Sequence, residues 1–547
     1  MQFDPILPPE RVKAMEAAGL WRNRLITDYL DEAAAAHPDA VAIVGENSMT
    51  GRSTTLSYRQ LRRLVDRMAL GLVALGVGRG DVVSFQLPNW WEFTALHLAC
   101  VRIGAVSNPL MPIFRQRELT FMLGFAQSKV MVIPRLFRGF DYPAMLAEIA
   151  GDLPALQHTL VVEGDGQGSF GEALTARRWE GEMDAARLFA ELRPGANDVT
   201  EIQYTSGTTG APKGVMHTAN TLLGNLHGYI ERLQLTQADV VLMGSPLAHQ
   251  TGFLYGMLMP VLLGTKAVLQ DIWNPEVAAR HIAEEGVTFT MGATPFVSDL
   301  AGTPNLDQYD ISTLRVFLTA GAPIPRVLVQ RATERLQAAI ISAWGMTENG
   351  AATTTRLTDP PEKVFGTDGL PIEGMEVRVV DPDGAPLAHG QEGRLQARGV
   401  ANFVGYLKKP EAYDTDADGW FETGDLATMD ADGYISIAGR SKDVIIRGGE
   451  NIPVFEVEDV LYRHPAIQDV AIVAMPDARL GERGCAFAVL REGQRLDLGG
   501  MVAFLEAEKM ARQYFPERLE ILPAMPRTPS GKIQKFKLRE MAAAFGQ

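Results

Sequence analysis

The N-terminal half of the chain alternates short apolar runs with longer segments in which apolar residues recur at helical spacing. Residues 61–75 have the helical spacing and end at Gly76, whereas 81-DVVSFQLPN-89 is typical of a buried strand and turn. A second helix is predicted over 91–104 and a second strand over 105–110. Because helices separate the strands, the pattern favours an α/β fold with a mostly parallel sheet.

Farther along, the polar residues 165–198 predict a long surface connection that leads into a strand over 199–204. A loop rich in glycine and hydroxyl residues, 205-TSGTTGAPKG-214, follows at once, and the pattern then predicts a helix over 215–233. Strand, loop and helix in this order would aim the N-terminus of the helix at whatever the loop holds.

The pattern changes beyond Asp425. Residues 427–440 predict a hairpin with its turn at 430–433, and residues 441–547 predict a smaller unit that begins at a domain boundary near residue 440. The elements predicted for this smaller α+β unit are strands at 444–447, 470–476 and 484–490 and helices at 454–464 and 500–510.

Charge is unevenly divided between the two units. The 547 residues carry a formal net charge of −15, and residues 441–547 contain 15 basic and 15 acidic side chains, so the net charge lies in residues 1–440, with 36 basic against 51 acidic. An acidic protein is a poor non-specific binder of nucleic acid, and we expect no such partner. Five basic residues near the C-terminus form either a landing site for an anionic substrate or a solvated basic helix: Arg527, Lys532, Lys535, Lys537 and Arg539.

No secretory or membrane address is visible in the sequence. The first 21 residues contain acids and prolines in place of an apolar run. Residues 240–265 lack charge, but their prolines, their four glycines and His249 favour a buried helix and strand beside a pocket over a spanning helix. We expect a cytoplasmic protein without an integral membrane segment, in which Cys100 and Cys485 are structural thiols and not parts of a disulfide framework or zinc site.

The loop at 205–214 has the composition of a phosphate cradle. Its glycines let backbone N–H groups turn toward an anion, and its hydroxyls add further donors. It departs from the P-loop pattern, because Lys213 is preceded by proline where that pattern has glycine and is followed by glycine where it has a hydroxyl residue. The four hydroxyl residues are Thr205, Ser206, Thr208 and Thr209.

The segment 202-IQYTSGTTGAPK-213 resembles the AMP-binding signature of the adenylate-forming superfamily, which includes acyl-CoA synthetases, adenylation domains of peptide synthetases and luciferases. The resemblance covers nearly the whole chain. It implies an N-terminal domain over 1–440 with the ATP and acyl sites and a small barrel-like subdomain, and a mobile C-terminal domain over 441–547 with a catalytic lysine and the CoA side. The motifs that follow in family order are 320-AGAPIP-325, 344-WGMTE-348, 419-GWFETGD-425, 439-GRSKD-443, 448-GGENI-452 and 526-PRTPSGKIQK-535.

The resemblance also implies roles for single residues. Glu348 would bind Mg²⁺ and Thr347 a phosphate, and Mg²⁺ on nucleotide phosphates takes only one or two protein carboxylates. Asp425 and Arg440 would hold the ribose, although an aspartate at such a turn is by itself more often a turn cap. The positions that the resemblance assigns to ATP or AMP are Thr205, Ser206, Gly207, Thr208, Thr209, Lys213, Ala320, Gly321, Ala322, Trp344, Gly345, Met346, Asp425 and Arg440.

Two lysines compete for the place beside the reacting carboxylate and the α-phosphate of ATP. The resemblance assigns this place to Lys532 on the C-terminal domain and leaves Lys213 to steady the loop or the departing pyrophosphate. Rotation about a hinge at Lys442 would then withdraw Lys532 and bring Gly448 and Gly449 to the pantetheine arm of CoA. A polar residue such as Lys442 is also common in a plain linker.

The acyl pocket that the family implies is apolar in this chain. No Asp or Glu occurs from 241 to 270, which argues against an amino-acid substrate, and 90-WWEFTALHLAC-100 most resembles ligases that activate cyclohexanecarboxylate. His249 would gate the pocket or assist thiol attack; the rival interpretation is a core histidine with satisfied hydrogen bonds. The implied pocket residues are His249, Phe253, Leu254, Thr319, Gly321, Trp344 and Met346.

Together these features predict an ATP-dependent acid–thiol ligase that uses Mg²⁺ and coenzyme A. The acid would be activated as acyl-AMP with release of pyrophosphate, and the acyl group would then pass to CoA. The predicted acid is cyclohexanecarboxylate or a similar alicyclic, aromatic or medium-chain acid. The alternatives are an adenylating enzyme that loads a carrier protein, a luciferase-like oxygenase and a non-catalytic nucleotide-binding relative. The sequence leaves open whether two copies of the chain form a homodimer.

Overall fold

A computed structural model describes residues 3–166, 168–205, 212–320, 326–440, 444–447, 450–477, 480–508, 510, 512–528 and 531–545. Its helices are α1 (Pro9–Ala17), α2 (Ile26–Ala36), α3 (Tyr58–Ala74), α4 (Trp91–Arg102), α5 (Gln116–Phe125), α6 (Tyr142–Ile149), α7 (Ala185–Leu192), α8 (Ala219–Arg232), α9 (Met259–Leu263), α10 (Pro275–Glu285), α11 (Thr294–Ala301), α12 (Arg326–Leu336), α13 (Pro361–Gly366), α14 (Val454–Tyr462), α15 (Leu498–Ala507) and α16 (Lys535–Ala543). Two π-helical turns span Gly171–Ala176 and Gly252–Leu258.

The strands are β1 (Val41–Asn47), β2 (Arg52–Ser57), β3 (Val82–Phe85), β4 (Val106–Pro109), β5 (Val130–Pro134), β6 (Leu136–Phe137), β7 (Phe140–Asp141), β8 (His158–Val162), β9 (Val199–Thr205), β10 (Lys213–Thr218), β11 (Val240–Met243), β12 (Lys266–Gln270), β13 (Phe289–Gly292), β14 (Val316–Ala320), β15 (Ala339–Met346), β16 (Gly350–Thr354), β17 (Leu370–Pro371), β18 (Met375–Val380), β19 (Gly393–Gly399), β20 (Phe421–Met429), β21 (Ile435–Arg440), β22 (Ile445–Arg447), β23 (Glu450–Ile452), β24 (Ile467–Asp477), β25 (Gly481–Leu490) and β26 (Arg518–Ile521).

Two large sheets dominate the described part of the N-terminal region. A six-stranded sheet has the order β10-β9-β4-β3-β5-β8 and is parallel except at β10. A nine-stranded sheet has the order β17-β16-β15-β14-β13-β11-β12-β1-β2, with antiparallel pairing only at its two ends. This arrangement confirms the predicted α/β fold with mostly parallel sheets.

Buried helices connect the two sheets. Helix α4 contacts β4 of one sheet and β1 of the other, and α8 contacts β10 and β16 in the same way. The uncharged stretch 240–265 forms β11, the second π-helical turn and α9, whose residues are mostly buried. It is therefore a buried strand and helix, as its composition indicates. No helix in the described ranges combines the length and apolar character that crossing a bilayer needs.

The prediction of one helix over 215–233 is wrong at its start. Lys213–Thr218 form β10, which pairs antiparallel with β9, and α8 begins only at Ala219. Thr218 caps this helix, since its side chain accepts a hydrogen bond from the N–H of Thr221. The glycine-rich loop therefore joins two strands of a hairpin, and the helix begins one strand later.

The predicted barrel-like subdomain is an open sheet. Strands β18-β19-β20-β21 form a four-stranded antiparallel sheet, and its edge strands β18 and β21 do not pair with each other in the described residues. The predicted hairpin at 427–440 is confirmed as β20 and β21. Four strands are too few to curl through a full turn around a packed interior at ordinary strand tilt.

The C-terminal residues build hydrophobic cores of their own. Strands β22 to β26 form one sheet, and the apolar clusters against it draw their members from residues 445–545. The predicted strands and helices of this unit are present, while the boundary at residue 440 stays a prediction. Cys100 and Cys485 are both buried free thiols.

Candidate active site

Asp425 and Arg440, on the four-stranded sheet, meet Trp344 of the nine-stranded sheet. Antiparallel pairing of β20 and β21 places Asp425 opposite Arg440, whose Nε lies 2.9 Å from Asp425 Oδ1. The indole Nε1–H of Trp344, on β15, donates to Asp425 Oδ2 at 2.8 Å. Asp425 is only 6% exposed, yet each of its oxygens retains a lone pair for a further donor.

Glu348 is a buried carboxylate with one oriented oxygen. The hydroxyl of Tyr406 donates to Glu348 Oε1 at 2.7 Å, and the N–H of Phe403 donates to the Glu348 carbonyl at 2.8 Å. Burial raises the pKa of Glu348, while the Tyr406 hydrogen bond and the nearby Arg440 and Lys213 oppose that rise. A cation at Oε2 would further favour the charged carboxylate.

Lys213 begins β10, across the hairpin from Thr205 on β9. Its ammonium lies 4.5 Å from the centre of the Tyr406 ring, so the ring that orients Glu348 also supports Lys213. The strand that follows the glycine-rich loop is thereby linked to the carboxylate.

His217, also on β10, holds the turn that carries Thr347. Its Nε2 lies 2.8 Å from the Thr347 carbonyl, and its Nδ1 lies 3.0 Å from the hydroxyl of Thr221. The carbonyl can only accept, so Nε2 carries the proton and Nδ1 accepts from the hydroxyl. Burial lowers the pKa of His217 to about 4, so the imidazole is neutral at physiological pH.

Lys532 approaches this group from the C-terminal part of the chain. Its backbone N–H donates to Thr528 Oγ1 at 3.0 Å, which closes a tight turn. A methyl group added to the neighbouring Gly531 would lie 3.1 Å from Ala293 Cβ. Burial and Arg440 lower the pKa of Lys532, and two carboxylates oppose the shift. The carboxylates are those of Asp425 and Glu348.

His249 lies in the segment that follows β11. Its Nδ1 accepts the N–H of Thr251 at 3.3 Å, which places the proton on Nε2. Burial lowers the pKa of His249 to about 3, and the charge of Lys532 adds to this effect. The residue retains some exposure to solvent, so it is not part of the fully buried core.

The other predicted pocket residues are mostly sealed. Phe253 and Leu254 are buried, and the Phe253 ring meets His97 edge-on at 4.7 Å between ring centres. Thr319 is fully buried on β14, and its hydroxyl has no partner among the described residues. Gly345, one of the positions predicted for ATP or AMP, admits no side chain, because an added methyl group would lie 1.9 Å from the Gly350 carbonyl.

The structure brings together seven of the predicted residues but does not describe all of the others. The residues brought together are Lys213, Trp344, Thr347, Glu348, Asp425, Arg440 and Lys532. Ala320 ends β14, and Met346 ends β15. The predicted positions that lie outside the described residues are Ser206, Gly207, Thr208, Thr209, Gly321, Ala322, Lys442, Gly448 and Gly449.

Sequence reasoning missed Tyr406 and His217. Tyr406 stands 58 residues from Glu348, and no local spacing connects them. His217 falls in the segment that was predicted as helix, where its strand orientation toward Thr347 is not readable. The period-2 alternation of a short strand at 213–218 is the one signal that could have identified it.

The geometry fits a nucleotide bound with a divalent cation. No group of three or more His, Cys, Asp or Glu side chains suited to a metal occurs in the described part of the chain. A single buried carboxylate, Glu348, suits Mg²⁺ that takes most of its remaining ligands from phosphates and water. Lys213, Arg440 and Lys532 supply positive charge for an anionic ligand.

Known proteins resemble both parts of the chain. The AMP-binding enzyme family matches residues 30–407, and the AMP-binding enzyme C-terminal domain matches residues 456–532. The medium-chain fatty-acid–CoA ligase of Escherichia coli (strain K12) is 39% identical over 534 residues, which cover 97% of this chain and 93% of that protein.

Solved structures of similar proteins span nearly the same length. The anthranilate CoA ligase AuaEII in complex with anthranoyl-AMP gives a TM-score of 0.84 at 25% identity over 96% of this chain and 98% of its own. ATP-bound MatB from Rhodopseudomonas palustris gives a TM-score of 0.82 at 26% identity over 96% of this chain and 100% of its own.

His249 is expected to remain neutral, with its proton on Nε2, wherever the protein is folded. An ordinary histidine titrates near 6.5, whereas the pKa of His249 is lowered to about 3, so acid favours the unfolded chain as pH falls through this window. Two-dimensional ¹⁵N–¹H NMR of histidine-labelled protein checks this, with assignment by the signal lost in His249→Gln. Titration of this signal near pH 6.5 would contradict the burial, and Lys532→Ala should raise its pKa.

Proposed function

Because the chain belongs to the AMP-binding enzyme family, which confirms the predicted superfamily and the acyl-CoA ligase class, we propose that it activates an apolar carboxylic acid with ATP and transfers the acyl group to CoA. The observation that carries the proposal is the place of Lys532. The turn that precedes it packs against the N-terminal region, since a methyl group added to Gly531 would lie 3.1 Å from Ala293 Cβ. The charges of Arg440, Asp425 and Glu348, which belong to the same large region, act on this lysine.

In the first step, a carboxylate oxygen of the acid attacks the α-phosphorus of ATP. A new phosphorus–oxygen bond forms, the bond to the bridging oxygen of the β-phosphate breaks, and pyrophosphate leaves with the electron pair. Both reactants are anions, so the barrier is largely electrostatic. Lys532 would lie between the two anions, Lys213 would face the departing phosphates, and Asp425 with Arg440 would hold the ribose.

Mg²⁺ would neutralise phosphate charge and polarise the reacting phosphoryl group when bound. Glu348 is the protein ligand that fits it, because Tyr406 occupies Oε1 and leaves Oε2 for a cation. Thr347 would donate its hydroxyl to a phosphate, and His217 fixes the backbone of that turn.

In the second step, the thiol sulfur of CoA attacks the acyl carbon, the bond from that carbon to the AMP oxygen breaks, AMP leaves with the electron pair, and the thiol proton is released to water. The C-terminal part would first rotate about Lys442, withdraw Lys532 and present Gly448 and Gly449 to the pantetheine arm. His249 carries its proton on Nε2 and bonds through Nδ1, so in this arrangement it is a donor. A donor suits gating or orienting the acyl group better than taking the proton of the thiol.

The proposed acid is apolar. Apolar residues such as Phe253 and Leu254, and the absence of acidic residues from 241 to 270, suit an alkyl chain or ring. The similarity to a medium-chain fatty-acid–CoA ligase favours medium-chain acids, and cyclohexanecarboxylate stays a candidate of the same size class. The carrier-protein acceptor stays the alternative, and the homodimer stays a prediction.

A panel of acids tests the function directly. Octanoate, hexanoate and cyclohexanecarboxylate should each give ATP-dependent pyrophosphate release, and addition of CoA should convert the product to acyl-CoA, as measured by mass spectrometry. Leucine should be a poor substrate, because no acidic residue from 241 to 270 is available to pair with its ammonium group. Turnover that ignores CoA and requires a phosphopantetheinylated carrier protein would overturn the acceptor assignment.

Lys532→Ala should separate the two half-reactions. Loss of the ammonium should slow acyl-AMP formation by about 10²–10³-fold, the usual effect of removing one group that stabilises transition-state charge. Conversion of supplied acyl-AMP and CoA to thioester should change by less than about threefold, because the lysine has been withdrawn in that step. Both rates are measured by single-turnover assays.

The matched control for this variant is Lys537→Ala. Lys537 lies five residues away, is exposed and has its ammonium 5.9 Å from the Phe536 ring centre. Its loss should leave both half-reactions unchanged. If Lys532→Ala remains folded and impairs both half-reactions equally, the rotation of the C-terminal part is wrong for this protein.

Tyr406→Phe should weaken the use of Mg²⁺-ATP while keeping the ring beneath Lys213. A hydrogen bond to a charged group contributes about 1.5–3 kcal/mol, so the pyrophosphate-exchange rate should fall by about 10–100-fold. The Mg²⁺ concentration for half-maximal exchange should rise with it. Tyr413→Phe is the control, since Tyr413 belongs to the same aromatic group but donates to the Phe403 carbonyl at 3.3 Å. Equal effects of the two variants would indicate a packing role only.

A further inference from the structure

Asn89 joins the two large sheets through its side-chain amide. It follows β3 of the six-stranded sheet and is only 3% exposed. Its Nδ2 donates to the carbonyls of Ser245 at 2.9 Å and Gln270 at 3.0 Å, with Met243 O at 3.4 Å, and these residues lie at the ends of β11 and β12. Its Oδ1 accepts the N–H of Leu247 at 2.8 Å. The amide thus uses both its donor and its acceptor across the boundary between the sheets.

The segment that receives these bonds carries His249. The His249 N–H donates to the Pro246 carbonyl at 3.0 Å, and the Thr251 N–H donates to His249 Nδ1. This turn is closely packed on itself, because a methyl group at Gly252 would lie 2.2 Å from the Pro246 carbonyl. A displacement of Leu247 would therefore move His249 as well, because the closely packed turn cannot change its conformation between them.

A second connection runs through α4, which begins two residues after Asn89. The ring of His97 on this helix meets Phe253 edge-on, with 4.7 Å between ring centres. Beside Asn89, the indole of Trp90 donates to Asp271 Oδ2 at 2.8 Å, which is a further bond between the two sheets. Asn89 therefore lies at the start of both connections to residues 249–254: the hydrogen bond to Leu247 and the contact of α4 with Phe253.

No other side chain of this size can make the same set of bonds. Aspartate has the same shape but, when ionised, offers only acceptors to the carbonyls of Ser245 and Gln270. Serine retains one donor on a shorter arm. A buried carbonyl or N–H left without its partner is costly, so the loop would shift to recover its hydrogen bonds.

We infer that Asn89 is a positioning residue of the acyl site: through Leu247 it fixes His249 and Phe253 and so determines which acids are accepted. Asn89 does not touch the acid itself. The inference rests on the proposed function, because it takes the 249–254 segment as a wall of the acyl pocket.

The kinetic test compares Asn89→Asp and Asn89→Ser with a matched control, Asn108→Asp. Asn108 is a buried asparagine on β4 whose Nδ2 donates to Ser84 Oγ of the same sheet at 2.8 Å. In pyrophosphate exchange, the KM for octanoate should rise by about tenfold in Asn89→Asp, which corresponds to about 1.4 kcal/mol. It should rise less in Asn89→Ser. The KM for ATP should change by less than about twofold. The preference among acid lengths should weaken, and Asn108→Asp should show neither change.

A second readout does not depend on activity. The Nδ1 and Nε2 resonances of His249 should shift in both Asn89 variants and stay in place in Asn108→Asp, as measured by ¹⁵N–¹H NMR. If Asn89→Asp does not fold, Asn89→Ser gives the same comparison. Parallel rises in the KM for octanoate and ATP, or unmoved His249 resonances in a folded variant, would overturn the inference. A wild-type protein that activates no acid would instead overturn the proposed function, and the NMR comparison would still decide whether Asn89 positions His249.

Discussion

Strand β10 is paired on both of its edges, and this pairing fixes the relative positions of the residues around Glu348. β9 lies along one edge; on the other, the Met216 N–H donates to the Gly405 carbonyl and the Val404 N–H donates to the Met216 carbonyl, each at 3.0 Å. Backbone hydrogen bonds set register, so the side chains of Lys213 and Tyr406 start from neighbouring backbone positions. An unpaired edge here would leave donors and acceptors exposed and the site unanchored.

Burial governs the charges that this scaffold holds. Removing water favours the neutral forms of both Glu348 and Lys532, which raises the pKa of the first and lowers that of the second. Nearby opposite charges partly reverse these pKa shifts, as the carboxylate of Asp425 does for Lys532. In the proposed reaction, an anionic nucleotide and its cation would supply the remaining opposite charges. The charged forms of these side chains would therefore be more stable with the substrates bound than with water alone.

The two sheets contribute different parts of the site, and buried polar side chains hold them together. The six-stranded sheet carries the hairpin of β9 and β10, and the nine-stranded sheet carries β14, β15 and the strand before His249. The side chains of Asn89 and Asn225 make hydrogen bonds between layers. Asn89 donates to the Gln270 carbonyl, and Asn225 on α8 donates to the Ala351 carbonyl, each at 3.0 Å. Such fully bonded amides are costly to displace and specify one arrangement of the core.

Hydrophobic period and local residue order were enough to predict the parallel α/β layers and to single out Glu348, Asp425 and Lys532 as motif residues. Three features follow only from the folded chain: β9 and β10 pair as neighbouring antiparallel strands, the four-stranded sheet stays open, and Tyr406 orients Glu348 across 58 residues. These outcomes depend on strand pairing and on contacts between residues far apart in sequence. No local pattern encodes such contacts, since periodicity describes only which face of an element is buried.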